Sequence, residues 1–147
     1  MALYALDTNL YVSALRDATA SAELYQFYSA FAPRCYLCSV VFHELLFGAN
    51  TPDKKRHLHS DIAAPFVRTS RIVTPSHRAW IAAGEALSRI AKEDHMDRKA
   101  FPRSLVADAL IAASCRENGV TLVTANLADF ERIGRVMKFS FTAPWPS

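Results

Sequence analysis

Ala2-Leu3-Tyr4-Ala5-Leu6-Asp7-Thr8-Asn9-Leu10-Tyr11-Val12-Ser13-Ala14-Leu15 is the stretch that decides the fold. Residues 2–6 form a short apolar run of the kind a buried strand needs. Asp7, Thr8 and Asn9 interrupt it with side chains that hold free backbone N–H groups, the chemistry of a helix start. From Leu10 onward the sequence continues as a helix. A buried strand followed at once by a helix is half of a parallel β-α-β unit, and the rest of the chain repeats the alternation.

Outward from that opening, Leu24, Phe27, Tyr28 and Phe31 stand at helical spacing within residues 19–31, which Pro33 closes. A second strand is expected at 35–38, then a helix from Ser39 or Val40 to Phe47 stopped by Gly48 and Asn50. Residues 52–66 read as helical and basic, 71–73 as a third strand, and Thr74-Pro75-Ser76 as the opening of a long helix over 76–93. The polar run His95–Arg103 precedes a helix over 104–117 that ends at Asn118-Gly119. Residues 121–124 are expected as a fourth strand and 136–141 as a fifth. Strands alternating with helices imply a doubly wound α/β sandwich on a central, mostly parallel sheet of four to five strands.

The chain has 147 residues, 51% hydrophobic and 21% charged. It is long enough for one domain with a sizeable core, taken here as residues 1–147, and too apolar to be disordered. No apolar stretch reaches the roughly 18 residues of a membrane span, and the N-terminus lacks the basic region of a secretion signal. The three cysteines provide no disulfide framework. Cys35 and Cys38 mimic a metal-binding pair, but three positions apart on a strand they point to opposite faces. Buried thiols in a reducing cytoplasm are the expectation.

The net charge of +3 is unevenly spread. Residues 1–49 balance at −2, residues 50–103 at +5 and residues 104–147 at zero. The basic middle third also holds His57, His59, His77 and His95, a composition that suits a polyanionic partner.

Four acids stand in unusual company. Asp7 directly follows the first strand, and Asp129 follows the fourth in Thr124-Ala-Asn126-Leu-Ala-Asp129-Phe130. In open parallel sheets active sites gather at those carboxyl ends. Glu44 lies among Val40, Val41, Leu45 and Phe47. Asp108 has Leu105, Ile111 and Ala112 on its helix face. An ionised carboxylate among apolar neighbours is costly unless something cationic meets it. One such acid alone is more often a capping residue; four together change the reading. Two carboxylates about 5 Å apart repel by roughly 3 kcal/mol at an effective dielectric of 20, and no Lys or Arg stands beside any of the four. A divalent cation resolves the conflict, and all-oxygen ligands favour Mg²⁺ or Mn²⁺. Such an ion activates water against a phosphodiester without a nucleophilic side chain.

Leu6-Asp7-Thr8-Asn9, the helix with His43-Glu44-Leu45-Leu46-Phe47-Gly48, Asp108-Ala-Leu-Ile-Ala-Ala and Leu122-Val-Thr-Ala-Asn126-Leu-Ala-Asp129-Phe130 together resemble the PIN-domain ribonucleases. The likeness is greatest to the VapC-type toxins of bacterial toxin–antitoxin pairs. It runs in order over nearly the whole chain. What the resemblance implies is a PIN-like three-layer α/β/α sandwich and a metal-dependent endoribonuclease acting as a toxin. Asp7 and Asp108 would be the principal metal-binding carboxylates and Glu44 would complete the coordination, directly or through water. Thr8 and Asn9 would orient Asp7, with Thr124 in support. Relatives carry an acid either where this chain has Asn126 or three residues later, so Asp129 is taken as the fourth acid and Asn126 as a metal or water contact. The basic stretch 96–103 departs from the family pattern. Family members are dimers neutralised by an antitoxin segment at the active site, so a homodimer and a VapB-type antitoxin are the expected partners. Lys54, Lys55, Arg98, Lys99 and Arg103 are the candidate RNA contacts.

Competing chemistries fail on particular residues. A zinc-protease helix would need a second histidine where Phe47 stands, and no G-x-G-x-x-G or P-loop occurs. A phosphoacceptor domain would need further acids beside Asp7 and a strand-end lysine. A catalytically silent PIN-like binding module is the alternative, against which Asp7, Glu44, Asp108 and Asp129 all count. Trp80 is expected in the core, and Trp145 as an anchor for the C-terminal tail.

Overall fold

A computed structural model describes residues 1–147. Five strands, β1 (Leu3–Leu6), β2 (Cys35–Cys38), β3 (Ile72–Val73), β4 (Val120–Val123) and β5 (Phe141–Thr142), form one sheet in the order β3-β2-β1-β4-β5. Every neighbouring pair is parallel. Eight α-helices flank it: α1 (Thr8–Arg16), α2 (Ala18–Phe31), α3 (Ser39–Gly48), α4 (Pro52–His57), α5 (Ala64–Arg68), α6 (His77–Glu93), α7 (Arg103–Glu117) and α8 (Leu127–Val136). The result is the α/β sandwich expected from the alternation.

The chain steps outward from β1 to β2 and β3, then returns to the other side of β1 for β4 and β5. The sheet's direction of growth therefore reverses between β1 and β4, and the crevice beyond their carboxyl ends is where a doubly wound sheet offers a site. The register brings Leu6 opposite Val123, and the Asp7 N–H donates to the Val123 carbonyl at 2.9 Å. Asp7 and Thr124 are thereby fixed side by side at the mouth of that crevice.

Helix α7 is the central helix. Leu105 and every residue from Asp108 to Cys115 are buried, so its central two turns are enclosed on all sides, as befits a segment apolar around most of its circumference. It ends at Asn118, and Gly119 follows at φ +64°, the left-handed conformation that glycine adopts without penalty. Asp108 is buried because its helix is buried, a consequence of the run Leu110-Ile-Ala-Ala-Ser-Cys115.

Several expectations need adjusting. The segment 52–66 is interrupted: a π-helical turn, Leu58–Ala63, separates α4 from α5. Residues 127–136, not assigned as helix from the sequence, form α8, which buries Phe130 and Ile133. The fifth strand is confined to Phe141–Thr142, because α8 runs on to Val136. Trp80 is not a core residue but is 58% exposed. The buried face of α6 is Ala79, Ala83, Ala86 and Ile90, and Trp80 sits one residue, about 100°, off that face. Trp145 does anchor the tail: its ring packs 5.2 Å from that of Phe27 and its indole N–H donates to Glu23 at 3.2 Å. All three cysteines are free and buried. No helix is long and apolar enough to cross a membrane.

Candidate active site

Asp7 ends β1 and caps α1. Its Oδ1 accepts the Thr8 N–H at 2.8 Å, and its Oδ2 accepts both the Thr124 hydroxyl at 2.7 Å and the Asn9 amide at 3.1 Å. The residue is 3% exposed. Burial raises its pKa, and those three hydrogen bonds pull in the opposite direction by favouring the charged form. Thr124, fully buried, also accepts the Asn126 backbone N–H at 2.9 Å. One hydroxyl thus ties the end of β1 to the start of α8.

Glu44 reaches the same crevice from α3. Its Oε1 accepts the Thr8 hydroxyl at 2.7 Å. The backbone N–H of Thr8 therefore serves Asp7 while its side chain serves Glu44, a division that the sequence reading, which assigned Thr8 to Asp7 alone, did not contain. Glu44 is raised by desolvation first and then by the charge of Asp7.

Asp108 enters from α7 and is only 6% exposed. Its Oδ2 has no hydrogen-bond partner. Burial foremost, then the charges of Asp7, Glu44 and Asp129, push its pKa up to about 8. Asp129, half-buried in the first turn of α8, accepts the Asn126 amide at 2.9 Å. Asn126 thus holds Asp129 and is itself held by Thr124.

None of the four acids takes part in an ion pair; those present join Arg56–Asp53, His57–Asp61, Arg89–Glu93 and Arg132–Asp94. The acids are loosely gathered: no three His, Cys, Asp or Glu side chains stand close enough together, as placed, to hold a metal ion directly. A strongly hydrated ion such as Mg²⁺, which keeps several waters, suits such a set better than zinc does. The donor set is all oxygen, one carboxylate oxygen is buried without a partner, and Asp7 is oriented by three donors. On those observations the residues fit a hard divalent cation.

The basic residues divide. Lys54 lines a cavity of about 540 Å³ together with Glu44, Arg16 and His57. Arg16, in the last turn of α1, was not singled out from the sequence. Its signal is positional, one α1 length beyond Asp7. Lys55, Arg98 and Lys99 are exposed and do not line this cavity. Arg98 donates to Ser88 at 3.2 Å, and Arg103 stands at the start of α7.

The PIN domain family matches residues 4–136. No curated protein sequence matches significantly. Among solved structures, DNA-bound VapBC from Salmonella typhimurium aligns with a TM-score of 0.70 at 21% identity, covering 97% of this chain and 98% of that one. VapBC2 from Rickettsia felis, bound to a DNA fragment from the promoter, gives 0.66 at 22% identity over 98% and 99%. FitAcB from Neisseria gonorrhoeae gives 0.64 at 21% over 99% and 100%. At these identities the structural likeness is one of fold, whereas the family match spans most of the sequence and all four acids. The chain belongs to the PIN-domain family.

Proposed function

We propose that residues 1–147 act as one PIN domain, a divalent-metal-dependent endoribonuclease serving as the toxin of a VapBC-type toxin–antitoxin pair in the cytoplasm. The observation that carries this reading is the buried, partnerless Oδ2 of Asp108 facing the charges of Asp7, Glu44 and Asp129. A fold does not leave a carboxylate in that state for stability, since an unmet buried polar atom costs about 1–3 kcal/mol and more when charged. The VapBC complexes among the structural neighbours support a VapB-type antitoxin as the cognate partner, and the family resemblance supports a homodimer.

Asp7, Asp108 and Glu44 would hold Mg²⁺ or Mn²⁺, with Asp129 completing the acidic set. Bound there, the ion would lower the pKa of a water and shield the phosphate it attacks. The chain's own contribution is orientation. Asp7 has little freedom to rotate, because Thr8, Asn9 and Thr124 occupy both its oxygens. Glu44 is held by the Thr8 hydroxyl and Asp129 by Asn126, so three of the four acids are oriented before a cation arrives. Lys54 and Arg16 bring positive charge to the wall beside Glu44, where an RNA backbone needs an attractive surface next to an acidic site.

The test is cleavage of single-stranded RNA by the purified chain. Cleavage with Mg²⁺ or Mn²⁺ that stops on chelation and is absent in Asp7→Asn supports the proposal. Full activity in excess EDTA, or no cleavage by a wild-type protein shown to bind Mg²⁺, overturns it.

A further inference from the structure

We propose that Phe47 and Arg103 form a base-stacking subsite for single-stranded RNA at the rim of the acid crevice, an inference that rests on the nuclease reading and adds a positioning pair to it. Phe47 lies one helical turn beyond Glu44 on α3. At 72% it is the most exposed large hydrophobic residue after Met1. Leaving a phenyl side chain in water forgoes about 1.5–3 kcal/mol of burial.

Arg103 opens α7, five residues before Asp108, and its guanidinium lies 4.9 Å from the centroid of the Phe47 ring. It takes part in no ion pair. This contact spans the two helices that deliver Glu44 and Asp108 to the crevice. Helical side chains lean toward the helix N-terminus, so the Phe47 ring leans over the turn that carries His43 and Glu44. One ring face is covered by the guanidinium, which holds the ring in place, and the residue's exposure leaves the rest open.

An open aromatic face beside a guanidinium with free N–H donors matches what one nucleotide presents, a flat base and a phosphate. The ring supplies a surface on which any base stacks, and Arg103 supplies donors for the phosphate that follows. Because both residues stand on the helices that carry the acids, a nucleotide held there is adjacent to the crevice. The pair therefore fixes the register of the strand relative to the scissile bond without reading its sequence.

Binding measured in the Asp7→Asn background, which prevents cleavage, tests the proposal by fluorescence anisotropy with a short single-stranded RNA and an abasic oligomer of the same length. Phe47→Ala should weaken binding of the base-bearing strand by about 5- to 150-fold and leave the abasic strand unchanged. Phe47→Trp should restore it. Arg103→Ala should weaken both strands and reduce the salt dependence by about 0.7 in log–log slope. Unchanged RNA affinity in Phe47→Ala, or equal loss on both strands, overturns the subsite. If that variant also loses self-association in sedimentation, Phe47 belongs to a contact between copies of the chain instead. A parent protein that binds neither strand overturns the nuclease reading itself, which separates the two failures.

Discussion

Replacing Asp108 with asparagine should make the metal-free protein more stable at neutral and alkaline pH and less so in acid. Folding raises the pKa of this carboxyl from 3.8 to about 8, so the folded state favours its protonated form. Between those values the unfolded chain has released the proton and the folded chain has not. Stability contributed by this group is therefore greatest below about pH 4 and is lost steadily as the pH rises to about 8. At about 1.4 kcal/mol per unit, the loss over that window is on the order of 6 kcal/mol. Asparagine has the shape of the neutral acid and does not titrate, but its amide brings N–H donors into a place where Oδ2 already lacks a partner. That offsets about 1–3 kcal/mol at every pH. The pH dependence of the difference between the two proteins is the decisive quantity, because the amide cost cancels from it. Urea unfolding in chelator at several pH values between about 4 and 9 measures it directly. The variant should be the weaker protein at the acid end and the stronger one at the alkaline end. Saturating Mg²⁺ should then stabilise the wild type by about 3 kcal/mol at a hundredfold excess over Kd and leave the variant unmoved. A difference that stays flat with pH, or equal Mg²⁺ stabilisation of both proteins, would refute the reasoning.

Thr124→Ala should cost about 1–3 kcal/mol in unfolding free energy and lower RNA cleavage at saturating metal, with Thr124→Ser recovering most of both, since the Oγ1 bonds to Asp7 and Asn126 are what is lost. Lys54→Ala and Arg16→Ala should each reduce the salt slope of RNA binding by about 0.7, whereas Lys55→Ala, outside the cavity that holds Glu44, should change it less; equal effects from all three would show that the backbone runs elsewhere. Phe130→Ala should cost about 3–5 kcal/mol by denaturant titration, because the ring is wholly buried and meets Phe139 and Phe141 at 5.9 and 6.4 Å.

The parts of the fold legible in the sequence are those with local causes. Asp7-Thr8-Asn9 ends a strand and begins a helix by its own capping chemistry, and Gly119 ends α7 because it takes φ +64° readily. Asp108 was legible because an acid amid Leu105, Ile111 and Ala112 contradicts its own helix face. What escaped is either weakly patterned or non-local. Helix α8 carries Leu127, Phe130 and Ile133 at helical spacing, but Gly134 and the polar residues between them dilute the signal, and the fifth strand was placed too early as a result. Trp80 illustrates a limit of composition: a large apolar side chain goes inside only if its angle on the helix points there, and the buried stripe of α6 is built from alanines and Ile90. The Thr8–Glu44 bond joins residues 36 apart in sequence, and no periodicity announces such a pair.

The four acids are treated differently by the fold, and that difference bears on how the site would work. Asp7 is bonded by three donors on two oxygens, enough to hold a charged carboxylate in one orientation in a buried place. Asp108 has an oxygen with no donor at all and sits in the field of its neighbours. A site in which every acid resembled Asp7 would be stable without a cation and would gain little from one. A site in which every acid resembled Asp108 would be largely protonated at neutral pH and would have to surrender several protons to take up a cation. Combining one carboxylate fixed by three donors with one destabilised acid gives an oriented anchor for a cation. It also supplies a second carboxyl whose proton loss is driven by the cation's arrival, so metal affinity should fall steeply as the pH drops below about 8. Isothermal titration with Mg²⁺ in two buffers of different ionisation enthalpy counts that proton. Close to one proton released per ion at neutral pH is expected, and none would mean that Asp108 is already charged in the free protein.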